Sequence, residues 1–194
     1  VTCHDDHNLR DRLTHLSPDA DEQELLKMDR LAQFGVFCSQ GIPFIFAGEE
    51  MFRSKLGEKN TYNTPDKYNA IDWALKSQYS SLVEFYKGLI AMRKAHPAFA
   101  LPTAEAVREH LRFIDNDNEA AVGLLLDELE GIDPAKRIVV LMNGSRETVE
   151  FDIPEGEYKW ICDGESIVPQ GMGTLLCNGK LSVSPITGIV LAQY

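Results

Sequence analysis

The residues best suited to chemistry stand at the start of the chain, where Val1-Thr2-Cys3 runs into His4-Asp5-Asp6. A short apolar entry ending in a His-Asp-Asp cluster reads as the last residues of a buried strand. In α/β proteins such strands deliver reactive side chains at their carboxyl ends. A second acidic pair, Glu49-Glu50, follows the apolar run Ile42–Ala47. As neighbours on a strand these two carboxylates would point to opposite faces and could not act on one bond together. His7, His15, His96 and His110 show no metal-ligand spacing, and neither do Cys3, Cys38, Cys162 and Cys177.

The elements that must hold these residues follow from periodicity. Leu25, Met28, Leu31, Ala32, Gly35 and Val36 lie close to a 3.6-residue repeat, predicting a helix over Glu24–Ser39 with Asp21 and Glu24 as a capping box. Gly41 ends it, and Ile42–Ala47 reads as a strand buried on both faces, as in a parallel sheet. Residues 48–73 form a long polar loop that Tyr62 and Tyr68 mark as ordered. Leu82, Phe85, Tyr86, Leu89 and Ile90 predict a helix over Ser81–Lys94, opened by Ser81 and Glu84 and stopped by Pro97. After Pro102 the texture changes. Short alternating runs follow at Val107–Ile114, Ala120–Leu126, Ile138–Met142, Thr148–Ile153, Tyr158–Cys162, Lys180–Ser184 and Gly188–Ala192, and they predict an antiparallel sandwich. Asn178-Gly179 reads as the turn of a hairpin. On an alternating strand, Trp160 is expected to pack in the core rather than to stack on a sugar. The fold class is therefore an α/β remnant, two strand-helix units over residues 1–100, followed by an all-β antiparallel sandwich over residues 101–194. A complete (β/α)8 barrel takes roughly 250 residues, so only the end of one fits here.

Composition narrows the partners. The chain has 194 residues, 44% hydrophobic and 25% charged, which suits a globular core. A formal net charge of -11 argues against nucleic acid, which demands clustered Lys and Arg. No apolar run reaches the roughly 18 residues of a membrane span. No signal peptide is visible, and a chain that opens inside a strand leaves the compartment of its parent open.

Together these residues resemble the α-amylase clan of glycoside hydrolases. Val1–Asp6 and Gly41–Glu50 look like its last two barrel strands. Asn60-Thr61-Tyr62-Asn63-Thr64-Pro65-Asp66, with Asn69-Ala70-Ile71-Asp72-Trp73, narrows the likeness to type I pullulanases and related debranching enzymes. Arg93-Lys94-Ala95-His96-Pro97-Ala98-Phe99 and the sandwich continue it. The resemblance implies retaining hydrolysis of α-1,6 branch linkages in pullulan, starch or glycogen. An aspartate nucleophile and a glutamate acid/base on earlier strands would do the work. Asp5 matches the clan's third carboxylate, which binds sugar hydroxyls in the distorted substrate, and His4 matches its partner. Asp6, Arg53, Tyr62 and Asp66 are then candidate substrate contacts, since aromatic faces and planar forks suit sugar rings and hydroxyl pairs. Glu49 and Glu50 become supports or loop anchors.

The family usually has Asn where this chain has Asp6, and a second carboxylate there is expected to raise the pKa of one of the two. The parent could be secreted, periplasmic or at the cell surface. No cofactor is expected; calcium occurs in the clan, but no ligand cluster in this sequence supports it. The chain alone is expected to be inactive and, with faces built to be covered, to self-associate. Two alternatives stand beside this reading. One is a glucan-binding or bracing accessory module. The other is a different activity of the clan, such as isoamylase.

Overall fold

The computed structural model describes residues 2–194. Its helices are α1 (Leu9–Leu16), α2 (Glu22–Cys38), α3 (Asp66–Asn69), α4 (Leu75–Gln78), α5 (Ser80–Ala95) and α6 (Ala104–His110). Eight strands follow: β1 (Leu111–Ile114), β2 (Ala121–Leu126), β3 (Arg137–Asn143), β4 (Val149–Asp152), β5 (Gly156–Cys162), β6 (Ile167–Cys177), β7 (Lys180–Val183) and β8 (Thr187–Gln193). The chain divides into two compact units. Val1–Val36 with Pro43–Lys87 form one, and Phe37–Ile42 with Gly88–Tyr194 form the other.

In the first unit, local signals build the helices. Asp21 Oδ1 accepts from the Glu24 amide at 2.8 Å, so α2 starts where the capping pattern places it. α1 occupies what reads in the sequence as a polar connection. Asn8 caps it by accepting from the Asp11 amide at 3.1 Å. Leu25, Leu26, Phe52, Tyr79, Leu82 and Tyr86 close the core of this unit.

The two strands expected here are not formed. Thr2 and Cys3 carry no ladder, and Val1 lies outside the described residues. Ile42–Phe46 is irregular, with Ile42 95% and Phe44 61% exposed. The physical reason is pairing: an apolar run becomes a buried strand only when another strand takes up its amides and carbonyls. All strands among the described residues lie beyond residue 110. α5 begins at Ser80, one residue before the expected Ser81 cap.

The second unit is an antiparallel sandwich. Six strands form one sheet in the order β1-β2-β3-β8-β5-β6, and β4 pairs with β7 in the other. Val139 and Leu141 of β3, Tyr158 of β5 and Leu191 of β8 meet Phe151 of β4 and Val183 of β7 between them. β3 and β8 are buried along almost their whole length, as central strands covered on both faces must be. Gly88 of α5 lies against Ile167 of β6, where an added Cβ would come within 2.8 Å of the Ile167 Cβ.

Two readings need correction, and one strand has no counterpart in the sequence pattern. Of the expected strand Val107–Ile114 only Leu111–Ile114 forms, and residues 107–110 belong to helix α6, because Thr103 Oγ1 accepts from the Ala106 amide and caps it. β6, with glycines at 171 and 173, is the longest strand yet lacks the β-branched alternation that would mark it. Asn178-Gly179 does not close a hairpin. It carries the chain from β6 in one sheet to β7 in the other, since β6 pairs with β5 and β7 with β4. Asn143-Gly144 does the same between β3 and β4. A turn dipeptide sets the sharpness of the bend, while sheet membership is decided by which apolar face each strand must bury.

Candidate functional site

The candidate residues of the opening segment lie at the surface of the first unit. His4 and Asp5 are exposed, with His4 Nε2 3.4 Å from Asp5 Oδ1. Asp6 adopts a left-handed backbone at φ 59°, which turns the chain away. Its amide donates to Asn60 Oδ1 at 3.0 Å, and its carboxylate accepts from Arg12 at 2.8 Å. The backbone amide of His7 holds the Asp6 carboxyl below the ordinary carboxylate range against desolvation, with Arg12 adding to the lowering. The Asp6 pKa thus moves down rather than up, because the His7 amide and the nearby cations outweigh desolvation.

Beneath this exposed edge lies a buried polar scaffold. Glu49 is 2% exposed and heads a 3-10 turn, Glu49–Met51. Its carboxylate accepts from Thr2 Oγ1, the Leu9 amide, Gln33 Nε2 and the Phe46 amide. One side chain therefore ties the opening segment, α1, α2 and the 42–47 run together. The chain makes Glu49 an anchor, the role the resemblance implies. Glu50 accepts from the Gly48 amide at 2.9 Å.

Arg53 is also buried, at 5% exposure. Nη1 donates to Ala47 O at 2.9 Å and Nη2 to Asn69 O at 2.6 Å, while the guanidinium sits 5.1 Å from the Phe46 ring centre. Both ends of its fork are engaged by backbone carbonyls. It braces the 48–73 loop and has no free face for a sugar. Lys55, 2% exposed, donates to His4 O at 3.3 Å and lies over the same ring. Burial, with the charge of Arg53, lowers its pKa. Asp11 completes the scaffold by accepting from Ser54 Oγ and the Lys55 amide, both at 2.6 Å.

The loop carries the other two candidates outward. Thr61 Oγ1 donates to Asn69 Oδ1 at 2.7 Å, and Asn69 Nδ2 returns to Thr61 O at 2.8 Å. This clasp fixes the 3-10 turn Thr61–Asn63, whose Tyr62 is 83% exposed. Asp66 opens α3, also exposed. The unit thus holds His4, Asp5, Tyr62 and Asp66 at its surface on a braced frame, with Asp6 tied to the loop through Asn60.

Sequence reasoning missed Asn8, Asp11 and Lys55. Asn8-x-x-Asp11 is a capping pattern in its own right and marks α1. Nothing local marks Lys55, because its burial depends on partners brought from residues 4 and 46.

Cys3 Sγ, a His4 ring nitrogen and an Asp5 oxygen lie within 4.8 Å of one another, the one grouping of potential metal ligands among the described residues. All three come from consecutive positions, Cys3 half-buried and His4 and Asp5 exposed, and the buried Lys55 donates to His4 O.

Comparison with known proteins agrees with this architecture. The family described as "Pullulanase, all-beta domain" matches residues 107–166. Pullulanase of Bacillus subtilis (strain 168) is 33% identical over 164 residues, which is 84% of this chain and 23% of that protein. Isoamylase of a Flavobacterium species is 32% identical over 61% of this chain and 18% of its own length. The structure of pullulanase from Bacillus acidopullulyticus superposes with a TM-score of 0.93 at 33% identity, over all of this chain and 24% of that one. That of Paenibacillus barengoltzii pullulanase gives 0.89 at 36% identity, over all of this chain and 29% of that one. The chain spans about a quarter of the length of these pullulanases. Sequence and fold together identify it as a homologue of the carboxyl-terminal region of pullulanases.

Proposed function

We propose that this chain is part of a glycoside hydrolase that cleaves α-1,6 branch linkages in pullulan, starch or glycogen. In this reading residues 1–100 end a (β/α)8 catalytic barrel and residues 101–194 form its accessory sandwich. The supporting observation is the exposed His4–Asp5 pair set on the Glu49–Arg53–Lys55 scaffold beside the clasped Tyr62 turn. Related structures contain maltotetraose, maltotriose, or maltohexaose with α-cyclodextrin, which supports an α-glucan as the ligand class.

Retaining hydrolysis needs a nucleophile and an acid/base about 5–5.5 Å apart across the scissile bond. Glu49 is occupied by four donors, so it is not offered to substrate. Asp5 supplies the supporting carboxylate. Accepting hydrogen bonds from ring hydroxyls, it binds the sugar more tightly as positive charge develops at the anomeric carbon. His4 orients it. Tyr62 offers an apolar ring face and Asp66 a hydroxyl acceptor, while Asp6 positions the segment against the loop. Arg53 serves by holding that loop. Without the nucleophile and acid/base, the 194-residue chain alone is inactive, and its uncovered Ile42 and Phe44 drive self-association.

The test is a pullulan assay by release of reducing sugar. An enzyme carrying this segment should be active, and its Asp5→Asn variant should lose at least a hundredfold in kcat while remaining folded. The isolated chain should show no turnover. Turnover by the isolated chain, or an indifferent Asp5→Asn variant, would overturn these roles.

A further inference from the structure

The sandwich carries a cavity of about 420 Å³ that the reading above does not use. Trp160 and Met172 line it with Ile189, and its polar positions are Asp163, Ser182, Ser184 and Thr187, whose hydroxyl is committed to Pro185 O. The size lies within the range of small-molecule sites. Its chemistry is two-sided. A pyranose presents a patch of C–H groups on its faces and hydroxyls around its edge. An indole with thioether and aliphatic neighbours suits the first, and hydroxyls with a carboxylate suit the second.

The backbone supplies a second, independent observation. Trp160 pairs with Met172 on β6 and with Leu191 on β8, but the β5–β6 register shifts on both sides of it, between Tyr158 and Trp160 and again between Trp160 and Cys162. The β5–β8 register shifts there too. Opposite, Gly171 and Gly173 flank Met172 with φ of 86° and 56°, conformations costly for other residues. Bulges of this kind re-aim side chains beside functional sites. Here the half-buried indole packs against the sandwich core, as the sequence leads one to expect, and also lines the opening. Asp163 Oδ1 is spent on the Glu165 and Ser166 amides, which holds that carboxylate in place. The Ser182 and Ser184 side chains are exposed.

We propose that this cavity is an α-glucan-binding site on the sandwich, with Trp160 as its stacking face and Ser182, Ser184 and Asp163 as its hydroxyl partners. The identity of the sugar rests on the α-glucan reading above; the existence of the site rests on the cavity and the bulged strand. Its role is to hold a second stretch of a branched polymer, raising the local concentration of substrate for the catalytic edge.

The test is calorimetric titration of the 194-residue chain with maltohexaose, and with cellohexaose as the comparison. Maltohexaose should bind, and Trp160→Ala should weaken it at least tenfold. Because that change could disturb the core, Ser184→Leu, at an exposed position, is the second variant and should weaken binding similarly by obstructing the opening. Absence of maltohexaose binding overturns the proposal. So does binding that survives both substitutions, which would place the sugar elsewhere. Cellohexaose binding in place of maltohexaose would refute the α-glucan specificity of this cavity and so overturn the proposal. Failure here leaves the Asp5 assignment intact, since the pullulan assay reads that residue alone.

Discussion

Replacing Asp29 by Asn should stabilise the protein, and more so as pH rises. Asp29 lies on α2 with no exposure to solvent. Tyr86 donates its hydroxyl to Oδ1 at 2.9 Å, while Oδ2, Gln33 Oε1 and Arg30 Nε have no partner. Burial pushes the Asp29 carboxyl from 3.8 up to about 8; the Tyr86 hydrogen bond opposes the shift and the Glu49 charge adds to it. A carboxyl that is ionised in the unfolded chain must therefore take up a proton to fold at neutral pH. The sign follows: stability is undiminished below pH 3.8, falls as pH rises, and levels off above about 8. At about 1.4 kcal/mol per pH unit, the burden at pH 7 is about 4 kcal/mol.

Asn carries no such burden, but its amide still costs roughly 1–3 kcal/mol to bury where it lacks a partner. The net gain at pH 7 is then about 2 kcal/mol, a rise of roughly 4–8 °C in Tm for a chain of this size. Near pH 4 the gain should vanish or reverse. Thermal unfolding of both proteins from pH 4 to pH 9, followed by circular dichroism, reads the difference directly. Parallel pH profiles, or an Asp29→Asn variant less stable at pH 8 than the parent, would refute the buried-carboxyl argument.

Two further outcomes are expected. His96 is buried between Asp133 Oδ1 at 2.8 Å and Pro169 O at 2.9 Å; both partners are acceptors, so both ring nitrogens must donate and the imidazole is held as a cation. Desolvation works against this, but the bonds to Asp133 and Pro169 outweigh it and raise the pKa. The stabilisation is complete below the ordinary His value of 6.5 and is lost as pH climbs through the raised folded value. His96→Ala should cost about 3 kcal/mol at pH 6 and less at pH 9, measured by urea unfolding; an equal loss at both would refute the cationic assignment. The second concerns Ile42 and Phe44: light scattering should report mass rising with concentration for the isolated chain and falling toward monomer in Ile42→Ser/Phe44→Ser, and a monomer throughout would remove the argument.

What the sequence determined by itself was whatever a few neighbouring residues can enforce. The 3.6-residue pattern and the Asp21 cap specify α2, the pattern before Pro97 specifies α5, and alternating runs specify β3, β5 and β8 within a residue or two at either end. His4 and Asp5 stand out by type and spacing, and Tyr62 by its place in a Tyr-Asn-Thr-Pro-Asp loop. The tertiary structure decided the rest. Ile42–Phe46 has strand composition, yet composition cannot supply a pairing partner, so it stays irregular. The Asn-Gly turns look like hairpins, but burial of Phe151 and Val183 against Leu141 and Leu191 sends the strands on either side into different sheets. Arg53 reads as a sugar-binding fork and becomes a brace, because Ala47 O and Asn69 O reach its two ends first. Those carbonyls lie 6 and 16 positions away, and only packing decides whether such a side chain meets backbone or solvent.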